Sequence, residues 1–223
     1  MDELTVEQFG ARLAAVRGRI EAAGGDPCRT SIVAVAKRFG PEAVLTAMQC
    51  GLEDIGENYA GELVSKATSE PLAGFKARWH YLGALQRNKL GRLSPFVHTW
   101  HGLSREVEVD ALSAVQPGAR VLVQVAFDDR QGCAPRDVGR LCEAGRQAGL
   151  DVAGLMTVAP RGGPDVAAAA FSSLAGLREA LGLAELSMGM SGDFETAVRH
   201  GATMVRIGSA LFGPRPAGPR MKQ

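Results

Sequence analysis

The chain has 223 residues, 46% of them hydrophobic, and a formal net charge of +1. That is enough apolar content for one core of generous size, and the balanced charge leaves no electrostatic footprint for duplex nucleic acid or an anionic membrane. The N-terminus, MDELTVEQFG, is acidic and lacks the apolar run of a signal peptide, and no stretch approaches a membrane span. Cys28, Cys50, Cys133 and Cys142 show no CxxC pair and no metal-type spacing. These features predict free thiols and a cytoplasmic location.

In chain order, the first element is a helix. Thr5 and Gln8 have capping-box spacing and Leu4 and Phe9 that of a hydrophobic staple. Val6, Phe9, Leu13, Val16 and Ile20 then step along one face up to Gly24-Gly25. Short β-like runs follow at 31–37, 53–58, 78–83, 96–101, 120–127, 151–158, 184–190 and 203–208. Helical patterns lie between them at 41–50, 58–68, 104–115, 135–148, 164–181 and 192–200, with a very short one at 86–93. Eight strand–helix units predict an α/β single-domain (β/α)8 barrel over 1–213 with an extra N-terminal helix, close to the usual ~250 residues. The Pro/Gly/Arg-rich end, 214–223, reads as a flexible, solvated tail. An open doubly wound sheet is the competing architecture. It places a Gly-rich turn after its first strand, where this chain has Lys37-Arg38-Phe39-Gly40.

The chemistry concentrates in 186–213, LSMGMSGDFETAVRHGATMVRIGSALFG. Two strands run into small-residue turns, Ser191-Gly192 and Gly208-Ser209, each opening a helix. Glycine permits close backbone approach, and helix-start N–H groups attract anions, so the pair predicts a phosphate grip. Asp193, so near an anion, is expected to turn away and serve the helix terminus. Arg206 shares an inward face with Met204 and Gly208. Lys37 ends a buried apolar strand at the C-terminal rim, where barrel enzymes keep their chemistry. Partial desolvation there favours the neutral amine that a Schiff base needs. A phosphate grip, an imine-forming lysine and an inward arginine suit pyridoxal 5′-phosphate. His80 reads as a satisfied core histidine, Met156, Met188 and Met190 as gap-fillers, and Lys66 and Lys89 as solvated charges.

The blocks AVAKRFGPE around Lys37, DIGENYAGELVSKA (54–67), WHYLGALQRNK (79–89), VLVQVAF…GC (121–133), GLMTVAP (154–160) and 186–213 occur in this order. Together they resemble the pyridoxal phosphate homeostasis protein family, single-domain relatives of the barrel half of alanine racemase. The resemblance implies that Lys37 holds pyridoxal phosphate as a Schiff base. By the same resemblance Ser191, Gly192, Gly208 and Ser209 bind its phosphate, Arg206 donates to the pyridine nitrogen, and Asn58 lies beside the ring. The chain departs from the family pattern at Ala36, Arg38, Ala84 and Ser209, and 96–110 matches poorly.

A cationic, donor-only arginine at the ring nitrogen weakens the electron sink. Alanine racemase takes its second base, a tyrosine, from an extra domain for which this chain is expected to have no room. The expectation is therefore a monomeric protein of intracellular cofactor homeostasis, binding, buffering or delivering pyridoxal phosphate, with PLP-dependent apo-enzymes as recipients and no robust catalysis. An amino-acid racemase of the same fold type is the alternative. A third reading is a Schiff-base aldolase acting on a sugar phosphate.

Overall fold

The computed structural model describes residues 4–214. The tail expected over 214–223 lies outside them, apart from Pro214. The capping box at the first helix is formed: Gln8 N–H donates to Thr5 Oγ1, and Thr5 N–H to Gln8 Oε1. That helix, α1 (Val6–Ala22), buries Phe9, Leu13, Val16 and Ile20.

Strands and helices then alternate. The first half contains β1 (Ser31–Val35), α2 (Pro41–Gln49), β2 (Asp54–Glu57), α3 (Ala60–Ala67), β3 (Arg78–Tyr81), α4 (Arg87–Leu93), β4 (Val97–Leu103) and α5 (Glu106–Val115). The second half contains β5 (Arg120–Gln124), α6 (Val138–Gln147), β6 (Asp151–Met156), α7 (Pro164–Ala180), β7 (Glu185–Met190), α8 (Phe194–Arg199), β8 (Met204–Ile207) and the one-turn α9 (Ser209–Phe212). The strands close in sequence order into a parallel eight-stranded barrel, with β8 pairing back onto β1. The doubly wound alternative is thereby excluded. The short helix expected between the third and fourth strands is α4, a seven-residue helix that buries Leu90 and Leu93.

Alternation sorts each strand between two environments. On β1, Ile32 and Ala34 join the apolar layer between barrel and helices, as do Val205 and Ile207 on β8. The barrel interior holds a smaller apolar cluster of Leu122, Ala153, Met156 and Met204. Helix α1 packs against α9, α2 and α8, across the seam where the barrel closes. Phe9 and Phe39 both pack on Phe212 there, and Arg12 donates to the Leu211 carbonyl. The opposite, N-terminal rim is laced by half-exposed ion pairs such as Arg78 with Glu53 and Asp54, and Arg120 with Asp151 and Glu185.

Candidate functional site

β1 ends two residues earlier than the apolar run predicts. Ala36 N–H still donates to Gly56 O, but Phe39 N–H turns back to Ala36 O, and Arg38 between them has a φ of 68°. Lys37 therefore stands on a turn just beyond the strand, half-buried, rather than at the strand's last position.

That turn is held by charges which look solvated in the sequence. Lys66 is 4% exposed, so its reading as a solvated charge is wrong. Its Nζ donates to Ala36 O at 2.8 Å, to Glu57 Oε2 at 2.5 Å and to Glu62 Oε2 at 3.0 Å. Glu62 Oε2 also accepts from Arg38 N–H at 2.7 Å, and Glu57 Oε1 from Asn58 and Tyr59 N–H. Burial pushes the Glu57 carboxyl above the ordinary carboxylate value, against the pull of Lys66. The cluster binds the ends of β1 and β2 to α3, and so fixes the backbone on either side of Lys37.

Across the mouth, the two small-residue turns are joined directly: Ala210 N–H donates to Ser191 Oγ at 3.2 Å. Asp193 does not cap α8 with its side chain. Its carboxylate turns back to accept Met190 N–H at 2.6 Å, bracing the turn itself. Gly189, at φ 88°, lets β7 lie directly on α8; a Cβ there would sit 2.6 Å from that of Ala197. At Gly192 a Cβ would meet no protein atom within 4 Å.

Arg206 is 4% exposed. Its Nη1 donates to the Ser187 carbonyl at 2.7 Å and hydroxyl at 2.8 Å, and its Nη2 to Thr157 O at 2.7 Å. Among the described residues no carboxylate forms an ion pair with it. Burial pulls its pKa down to about 10, opposed by Asp193, so it remains a buried cation.

Lys37, Asn58, Ser191, Gly192, Arg206, Gly208 and Ser209 all line one cavity of about 360 Å³. Val35, Leu82, Met156, Val158 and Met190 complete its wall. Asn58 Oδ1 is buried without a hydrogen-bond partner. A second cavity of about 480 Å³ adjoins the first and shares Asn58, Leu82, Met156 and Val158 with it; Tyr59, Tyr81 and Lys89 are among its lining residues. Met190 is 39% exposed on the cavity wall, whereas Met156 and Met188 are buried. His80 is a satisfied core histidine, bonded to Asp54 and His101. Reading the sequence missed His101, Ser187 and Glu62. Of these, only His101 lies in the poorly matching stretch 96–110; Glu62 and Ser187 lie inside blocks that match.

The family model for the alanine racemase N-terminal domain matches residues 8–216. A pyridoxal phosphate homeostasis protein of Pseudomonas aeruginosa is 38% identical, over 96% of this chain and 97% of the relative. One from Vibrio cholerae is 36% identical, over 82% and 85%. PipY of Synechococcus elongatus, solved with PLP bound, superposes with a TM-score of 0.81 at 28% identity, covering 92% of this chain and all of that one. The chain belongs to the alanine racemase N-terminal domain family, on the branch of its pyridoxal phosphate homeostasis relatives.

Proposed function

We propose that this protein binds pyridoxal 5′-phosphate at the barrel mouth through Lys37 and serves to buffer the cofactor or deliver it to apo-enzymes. One observation carries the reading: all seven predicted residues line a single cavity that joins an amine, two anion-receptive turns and a buried arginine. The donor set fits the group. The N–H groups and hydroxyls of the Ser191-Gly192 and Gly208-Ser209 turns suit a phosphate. Arg206 offers N–H donors to a ring nitrogen, which accepts but does not donate when unprotonated. Asn58 Oδ1 is an acceptor still lacking a donor. When bound, the cofactor supplies an aldehyde that condenses with a primary amine.

The chain's own residues favour holding over turnover. Arg206 opposes protonation of the ring nitrogen and so weakens carbanion stabilisation. The adjoining cavity leaves room beside Asn58 for water or a second amine, which favours exchange over a water-excluded reaction. The domain bounds of 1–213, the monomeric state and the cytoplasmic location are part of the same proposal. Among the described residues, no helix is long and apolar enough to cross a membrane.

The test is reconstitution with pyridoxal 5′-phosphate. The wild type is expected to develop a visible absorption band that borohydride abolishes, leaving a pyridoxyl mass on Lys37. Lys37→Ala should fold and show neither. A wild type that stays colourless in excess cofactor overturns the reading. Turnover of L-alanine or L-serine at about 1 per second or faster would favour the racemase instead.

A further inference from the structure

Barrel interiors of this kind are ordinarily packed with branched apolar side chains. Here a file of polar groups crosses the interior instead. At the N-terminal rim, Asp54 Oδ1 lies 3.0 Å from His80 Nε2. His80 Nδ1 lies 2.9 Å from His101 Nε2, and His101 Nδ1 lies 3.0 Å from Ser187 Oγ. Ser187 Oγ accepts from Arg206 Nη1 at the cavity. His80, His101, Ser187 and Arg206 are all buried.

With both imidazoles neutral, the carboxylate end dictates the direction of every bond. An arginine can only donate and a carboxylate can only accept. Asp54 can only accept, so His80 donates to it from Nε2, and a neutral His80 then accepts on Nδ1. His101 therefore carries its proton on Nε2 and donates to His80 Nδ1, which leaves its Nδ1 to accept the Ser187 hydroxyl proton while Ser187 Oγ accepts from Arg206. All donors and acceptors along the line are matched, each in one tautomer. Burial holds His101 well below the ordinary histidine value, which keeps it neutral as this order requires. Burial raises the Asp54 carboxyl, but hydrogen bonds from His80 and Arg78 outweigh it and hold the group ionised.

We propose that Asp54, His80 and His101 are positioning residues for the cofactor cavity: their one-way hydrogen-bond relay presents the Ser187 oxygen to Arg206, steadying the buried guanidinium from the opposite end of the barrel. The role rests on the reading that the mouth holds pyridoxal phosphate. Its physical basis is that hydrogen bonds in series polarise one another in a low-dielectric interior. The far carboxylate thereby adds counter-charge for Arg206 to the attraction that Asp193 exerts. If Asp54 is replaced by asparagine, the end group can donate as well as accept. The line can then reverse, with His101 donating to Ser187 Oγ and the hydroxyl proton left without its acceptor.

The test is a double-mutant cycle read on cofactor affinity and on the pH midpoint of the visible band, for wild type, Asp54→Asn, Ser187→Ala and the double variant. Charged or titratable neighbours of the line are Arg78, His98 and, at Arg206, Asp193, unchanged across the cycle. Asp54→Asn and Ser187→Ala should each weaken affinity by about threefold to thirtyfold and move the band's midpoint. Asp54→Asn should add nothing further once Ser187 is alanine, because the line is already cut. Should Ser187→Ala not fold, His101→Gln completes the same cycle. Independent, additive effects of the two substitutions, or no effect of Asp54→Asn, overturn the relay. A wild type without any band overturns the cofactor reading together with it, so the two failures are distinguishable.

Discussion

The two sides of the barrel mouth are built from opposite materials. The β7–β8 side is backbone: two small-residue turns tied by one bond from Ala210 N–H to Ser191 Oγ, with Gly189 admitting the close packing beneath. The β1–β2 side is charge: Lys66, Glu57 and Glu62 clamp the chain on either side of Lys37. A phosphate can be met by fixed N–H groups that carry no net charge of their own and need no counter-ion. A lysine that must react needs a fixed backbone, and the buried cluster supplies it. Substitutions on the two sides should therefore fail differently, the charged side in stability and the backbone side in binding.

The largest expected effect is on the charged side. Lys66→Met leaves Glu57 buried without its cation, so unfolding free energy should fall by about 3–5 kcal/mol in urea titration. Adding Glu57→Gln to Lys66→Met should recover much of that loss. A cost of under about 1 kcal/mol would mean that the pair behaves as a surface ion pair.

On the other side, two neighbouring glycines should separate fold from function. Gly189→Ala places a side chain at φ 88° and 2.6 Å from Ala197 Cβ, costing about 1–3 kcal/mol. Gly192→Ala meets no protein atom, so stability should stay within about 0.5 kcal/mol. Cofactor affinity should nonetheless drop by about tenfold or more if the proposed phosphate site is right, because the methyl would intrude on it. Equal effects on stability at both positions would contradict the cradle.

The backbone side was legible in the sequence because its signals are local. A glycine-bearing turn after an apolar strand declares itself within three residues, and Arg206 stands on the inward face that alternation assigns. The charged side was not legible. Lys66 on α3 reads as an ordinary helical lysine, and only closure of the barrel brings it to Ala36 O, thirty residues away. The same holds for the interior line, where His101 meets Ser187 across eighty-six residues. Residues that support the site from distant strands leave no periodic trace, since each satisfies its own strand's pattern whether or not a partner faces it. The barrel itself was readable because eight local βα units imply it. The end of β1 was not, because Val35, Ala36 and Lys37 continue an extended pattern while the Lys66–Ala36 contact and the Arg38 turn end it.

The interior line makes stability depend on pH with a definite sign. His101 is held neutral well below the ordinary value of 6.5, chiefly by burial, and His98 is lowered for the same first reason. An unfolded chain therefore takes up protons as the pH drops below about 6.5 that the fold refuses, so stability declines in that window. Asp54, held below its ordinary 3.8, adds its own loss only under more acidic conditions. Urea midpoints measured from about pH 8 to pH 5 should fall in wild type and fall less in His101→Gln. A flat wild-type profile would show that the buried histidines take up protons in the fold as readily as in the unfolded chain.

The smallest effect belongs to the bond between the two turns. Ser191→Ala removes the oxygen that accepts Ala210 N–H at 3.2 Å, a part-buried bond worth about 1 kcal/mol or less to the fold. The same N–H stays near the cavity and can meet solvent there, so stability should hardly move. Affinity should suffer more, by about tenfold, since the hydroxyl and the register between the turns are lost together. If Ser191→Ala instead lowered stability as much as Lys66→Met, the backbone side would be a structural clamp like its counterpart, and the division of labour across the mouth would have to be abandoned.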